Sequence, residues 1–140
     1  MKILVAVDGS LHTKHAMAYM IEHFNMFGQD SSVTLINVHA PIPRHAAAHL
    51  GRETVQAYYG DEAEKCLKGA RAALKKAGIP ATDTWKVGDP GDEISVLAER
   101  GNFDLVIMGS HGHGLFKNLV LGSVATKVLA GCTVPVLLVR

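Results

Sequence analysis

Residues 105–129 read LVIMGSHGHGLFKNLVLGSVATKVL, and the fold of the whole chain turns on how this stretch changes character. Leu105 to Met108 form a continuous run of large apolar residues, the pattern of a strand buried on both faces of a parallel sheet. The run stops at Gly109. Further glycines follow at 112, 114 and 122, and from Ser123 onward Ala125, Val128 and Leu129 recur at helical spacing. A glycine-rich loop therefore joins a strand to a helix. Glycine accepts positive φ and lets another group come close to the backbone, while the hydroxyl of Ser123 and the first N–H groups of the helix are available to an anion. The stretch reads as a phosphate cradle.

The flanking sequence repeats the strand–helix alternation. Lys2 to Val7 is a compact apolar strand, broken by Asp8-Gly9-Ser10 before an amphipathic helix marked by Ala16, Met17, Met20, Phe24 and Phe27 and expected to end at Gly28. Ser32 to His39 supplies a second strand. The stretch from Ala40 to Leu50, with Pro41, Pro43, His45 and His49, shows no convincing pattern and is expected to be the most mobile segment. A helix is expected from Glu53 to Lys76, with Gly78-Ile79-Pro80 beyond it. A third strand is read at 82–87, a short helix through Ile94, Leu97 and Ala98, a fourth strand at 103–108, and a fifth from Val134 to Val139. Pro135 in the fifth cannot donate to a ladder, which favours an edge or a strand start. Five strands alternating with four helices, without internal repeats, predict a single doubly wound α/β domain over residues 1–140, with a parallel sheet and helices on both faces.

Composition narrows the partners. Apolar residues make up 48% and charged residues 19% of the 140, with a formal net charge of +1, so neither disorder nor a broad nucleic-acid footprint is indicated. A small molecule or a second copy of the chain is the expected partner. The apolar segment after Lys2 is too short for a signal-peptide core and no run is long enough to span a bilayer, so the expected location is cytoplasmic. Cys66 and Cys132 form no CxxC and read as reduced structural thiols. The eight histidines include an i, i+4 pair, His45 and His49, and a pair flanking Gly112, His111 and His113, but no HExxH or other recognisable ligand set. Neither GxxxxGK[ST] nor GxGxxG occurs, which removes the lysine-capped P-loop and the dinucleotide fold as templates.

The spacing Gly109, two residues, Gly112, nine residues, Gly122-Ser123 resembles the G-x2-G-x9-G-[ST] signature of the universal stress protein family, in its ATP-binding branch. MKILVAVDGS is similar to that family's first strand and Asp-bearing turn, LINVHAP to its second strand, WKVGDPGDEI to its third strand and turn, and CTVPVLLVR to its last strand. The resemblance covers essentially the whole chain and implies a strand order 3-2-1-4-5. It further implies a nucleotide site lined by Ala6, Val7, Asp8, Val38, Met108, Gly109, Gly112, Gly122, Ser123 and Val124, with ATP as ligand and Mg as a possible companion. In such a sheet the order reverses between strands 1 and 4, whose carboxyl ends carry Asp8 and Gly109, the expected position for a ligand.

Within that site Asp8 has two ligand roles open to it, accepting hydrogen bonds from ribose or adenine or orienting a hydrated divalent ion, beside the plain role of stabilising its turn. Ser10 reads as a helix cap or a polar wall, Ser110 as a phosphate donor or a loop stabiliser, and Lys117 as a phosphate partner or a solvated cation. The resemblance implies a nucleotide-dependent regulator in stress response. Slow ATP hydrolysis or phosphotransfer is the alternative, for which no catalytic base is apparent, and a purely structural interaction module is a third reading that the intact signature disfavours. A homodimer through the strand from Val134 to Val139 is expected, because an apolar edge strand left open invites association.

Overall fold

The structure, a computed structural model, describes residues 1–114 and 120–140. Five parallel strands form one sheet, β1 (Lys2–Ala6), β2 (Ser32–His39), β3 (Ala81–Val87), β4 (Leu105–Gly109) and β5 (Val136–Val139), in the order β3-β2-β1-β4-β5. The sheet order matches the expectation. Helices α1 (Leu11–Glu22) and α3 (Arg52–Lys76) cover one face, and α4 (Pro90–Arg100) and α5 (Ser123–Gly131) cover the other.

Strand alternation builds the two layers. In β1, Ile3 and Val5 point toward α1 and α3, where they meet Met17, Met20, Leu67 and Leu74, while Leu4 points the other way to join Ile94, Ala98, Val106, Ala125 and Val128. Ile3, Leu4 and Val5 are fully buried, as a central strand of a two-faced parallel sheet requires. At the carboxyl end of the sheet Ser110 N–H donates to the Val139 carbonyl at 2.8 Å, so the start of the glycine loop is tied to the last residue of the edge strand.

Several boundaries differ from the sequence reading. The stretch after β2 contains a helix, α2 (Arg44–Leu50), so five α-helices replace the expected four among the described residues. Its alanines favour helix without supplying an apolar stripe, which is why periodicity missed it. Gly51, at φ +80°, separates it from α3. Helix α1 stops at Glu22 instead of reaching Gly28: both the His23 backbone N–H and its ring Nδ1 turn back on the Tyr19 carbonyl, and a single 3-10 turn (Phe24–Phe27) follows. The fifth strand begins at Val136, two residues later than expected, with Pro135 ahead of it accepting from Val106 N–H through its carbonyl. Pro135 thus sits before the strand.

Among the described residues no helix is long and apolar enough to cross a membrane.

Candidate functional site at the carboxyl edge of the sheet

The reversal of strand order between β1 and β4 opens a cavity of about 230 Å³. Nine of the ten residues expected there line it: Ala6, Val7 and Asp8 from the end of β1, Val38 from β2, Met108, Gly109 and Gly112 from β4 and its loop, and Ser123 and Val124 from α5. Gly122 stands behind the wall.

The walls divide by chemistry. Val38, Ile36, Met108, Ile94 and Pro90 form an apolar part of the lining, and the polar part is made by Asp8, the loop around Gly112 and the start of α5. Ile36, Pro90, Ile94, Gly114 and Ala125 also line the cavity and were not assigned to the site from sequence. Asp89-Pro90, directly after β3, was the signal for two of them: Asp89 caps α4 by accepting from Asp92 N–H at 3.1 Å, Pro90 opens the helix, and Ile94 lies one turn on along the same face. Lys127 of α5 reaches both Asp89 and Asp92 at 3.0 Å and bridges the two helices behind this wall.

Asp8 combines a structural and an exposed function in one side chain. Its Oδ1 accepts from Ser10 N–H at 2.9 Å and from the Thr13 hydroxyl at 2.5 Å, which fixes the β1–α1 turn. Its Oδ2 faces Gly112, so closely that a Cβ on that glycine would lie 2.8 Å from it. Ser10 is a cap: it is buried, its hydroxyl accepts from Thr13 N–H at 3.3 Å, and it is not part of the cavity lining. Ser110, also buried, accepts Gly122 N–H on its carbonyl at 2.7 Å, and its hydroxyl lies 3.0 Å from His111 Nδ1, so its bonds stabilise the loop.

The three signature glycines do not use positive φ. Their common requirement is space, and each meets a different neighbour. A Cβ on Gly109 would strike His12 in α1, one on Gly122 would press on His111 and the Ser110 carbonyl, and one on Gly112 would meet the Asp8 carboxylate at the cavity. The cap of α5 is Gly122, whose carbonyl receives Thr126 N–H at 3.0 Å, and among the described residues no side chain caps the N–H groups of Ser123, Val124 and Ala125. These three residues line the cavity. A helix start of this kind carries partial positive charge and free donors, the ordinary receptor for an anion.

His111 and His113 both line the cavity, and His113 Nε2 bonds the Asp8 carbonyl at 2.7 Å, fastening the loop to the β1–α1 turn. A carbonyl only accepts, so Nε2 carries the proton. No group of three or more His, Cys, Asp or Glu is placed to hold a metal ion among the described residues. Lys117 lies outside the described residues.

The chain matches the Universal stress protein family over residues 1–140. It is 32% identical over 139 residues to a universal stress protein of Thermus aquaticus, covering 99% of this chain and 97% of that one. Its structure is similar to that of the Methanocaldococcus jannaschii protein MJ0577, with a TM-score of 0.84 at 28% identity over 99% of this chain and 94% of the other. It shares its fold with an Arabidopsis thaliana family protein solved with AMP bound, at a TM-score of 0.70 and 20% identity, covering 99% and 90% of the two chains.

Proposed function

The chain belongs to the universal stress protein family, and from that premise we propose that it is an ATP-binding member, acting as a nucleotide-dependent regulator in a cytoplasmic stress response. The observation that carries this reading is the convergence, in one cavity, of an apolar lining, the outward oxygen of Asp8 and the uncapped start of α5. Adenine would occupy the apolar part of the cavity lined by Val38, Met108, Pro90 and Ile94. The phosphates fit the loop around Gly112 and the N–H groups beginning at Ser123. Fold relatives bind adenine nucleotides, namely AMP, cAMP and dAMP. One carboxylate, Asp8, is compatible with a magnesium ion that keeps most of its waters and takes its other ligands from phosphate.

Isothermal titration with ATP, with and without magnesium, tests the reading. Saturable binding at one site per chain is expected, and no heat at any accessible concentration overturns it. Hydrolysis is expected to be far slower than the roughly 10 per second typical of enzymes, because no described side chain is set to activate water on a phosphate. Phosphate release at that rate, abolished by Asp8→Ala, would replace the regulator with an ATPase.

The homodimer belongs to the same proposal. Pro135 and Val139 turn their carbonyls toward β4, so the alternate residues Val136 and Leu138 direct their backbone groups outward along the sheet edge. The side chains of Val136 and Leu138 pack against the α4–α5 layer, and Leu137 and Val139 against the α1–α3 layer, all four partly buried, so the outward backbone groups are the common feature of this edge. Leu138→Pro removes an outward donor while leaving the bonds to β4 in place. Light scattering across a dilution series is expected to give a dimer for the native chain and a folded monomer for the variant; a native chain that stays monomeric at high micromolar concentration sinks the dimer.

A further inference from the structure

Asp8 owes its position to more than its own turn. The last ladder pair between β1 and β2 is Ala6–Ile36, and beyond it Val7 N–H still donates to the Ile36 carbonyl at 2.8 Å. The Val7 carbonyl is taken by a side chain: Asn37 Nδ2 donates to it at 2.7 Å, from a residue only 1% exposed. One residue on, the Asp8 carbonyl faces the Cys66 thiol of α3 at 3.5 Å. Gly9, at φ +78°, lies against the same sulfur, which sits 3.5 Å from where a Cβ would stand. Two consecutive carbonyls at the point where β1 becomes the Asp8 turn are thus held from behind, from β2 and α3.

We infer that Asn37 and Cys66 are positioning residues for the nucleotide site: they aim Asp8 and set the height of the turn on which His113 fastens the glycine loop. The inference rests on the nucleotide reading above for its functional consequence, and on the geometry of the turn for its mechanism. Neither residue lines the cavity, and neither belongs to the glycine signature.

The chemistry of each group suits the task. A buried amide costs free energy unless its polar atoms find hydrogen-bond partners. Asn37 Nδ2 meets that condition through Val7, while its Oδ1 has no partner among the described residues. The Cys66 thiol has one proton to give and directs it to Asp8. Burial raises the pKa of Cys66 above its ordinary value, and the Asp8 carboxylate acts in the same direction, so near neutral pH the sulfur remains an S–H donor. The Asp8 carbonyl also accepts from His113, so one oxygen joins α3 to the loop across the turn. Loss of the donors behind the turn lets Asp8 rotate and slackens the seat of His113.

The test compares Cys66→Ala, which deletes the donor, with Cys66→Ser, which keeps one, and adds Asn37→Leu, which keeps the volume and deletes the amide. ATP affinity is expected to fall at least fivefold in Cys66→Ala and at least tenfold in Asn37→Leu, and to stay within twofold of native in Cys66→Ser. The backbone amide resonances of Gly9 and Ser10 are read in the nucleotide-free proteins and are expected to move in the first two variants and to return toward native positions with serine. A general loss of stability would not produce that rescue. Folded Cys66→Ala with native affinity and unmoved turn resonances overturns the inference, and because this variant removes a single atom from a half-buried site, it serves even where Asn37→Leu does not fold. A native chain that binds no ATP overturns the nucleotide reading alone, since the turn resonances decide the positioning role without ligand.

Discussion

Gly109→Ala is expected to destabilise the protein by roughly 3 kcal/mol, the upper part of the usual range for overpacking a closed interior. The added methyl would lie 2.7 Å from His12 Cβ, 2.9 Å from its carbonyl carbon and 3.1 Å from its carbonyl oxygen. Two of these atoms are backbone in the first turn of α1, so no rotamer change relieves the contact. The helix must lift from β4, and α1 carries Ala16, Met17 and Met20 into the core beside Ile107. For a chain of this size such a loss lowers the thermal midpoint by about 10 °C. Thermal or urea unfolding followed by circular dichroism is the measurement, and an unchanged midpoint would show that α1 does not depend on this approach. Gly109 is thus a packing glycine within a motif whose sequence suggests only ligand contact.

Gly112→Val is expected to act chiefly on the ligand, giving a protein that still folds but whose ATP affinity drops at least a hundredfold, equivalent to about 2.8 kcal/mol. Among the described residues only the Asp8 carboxylate lies within 4 Å of a Cβ at this position, and Gly112 itself lines the cavity. Asp8 cannot swing away freely, because its other oxygen is held by Ser10 and Thr13. Titration calorimetry beside an unfolding curve separates the two effects. Retained affinity in a folded Gly112→Val chain would move the phosphates away from this loop. Gly122→Val is a poorer probe, since its side chain would meet His111 Cα at 3.1 Å and the Ser110 carbonyl at 3.2 Å, mixing loop distortion with any ligand effect.

The contrast between these glycines marks where sequence reading succeeds and stops. Strands such as ILVAV and LVIMG announce themselves because burial on two faces demands continuous apolar residues, and the alternation of strands with helices restricts the topology to a few arrangements. The cavity lining was legible from the ends of β1, β2 and β4 because ligands settle where strand order reverses. Pro90 and Ile94 were not, because they reach the cavity from α4, an element whose crossover path is set by tertiary packing. Helix α2 escaped because Ala46, Ala47 and Ala48 form helix without an apolar stripe. The roles of Ser10, Gly109 and Gly122 required coordinates: a cap, a helix–strand contact and a loop contact all use the same residue types as a phosphate site.

The bond from Ser110 to Val139 has a thermodynamic corollary. It makes the outermost strand and the glycine loop share one peptide contact. If a second copy docking on the edge of β5 raises the affinity for ATP by some factor, ATP must tighten that docking by the same factor, because the two free energies close a single cycle. Protein concentration then becomes a variable of nucleotide sensing: a cell that makes more of this chain changes not only how many sites it has but how strongly each one holds its ligand.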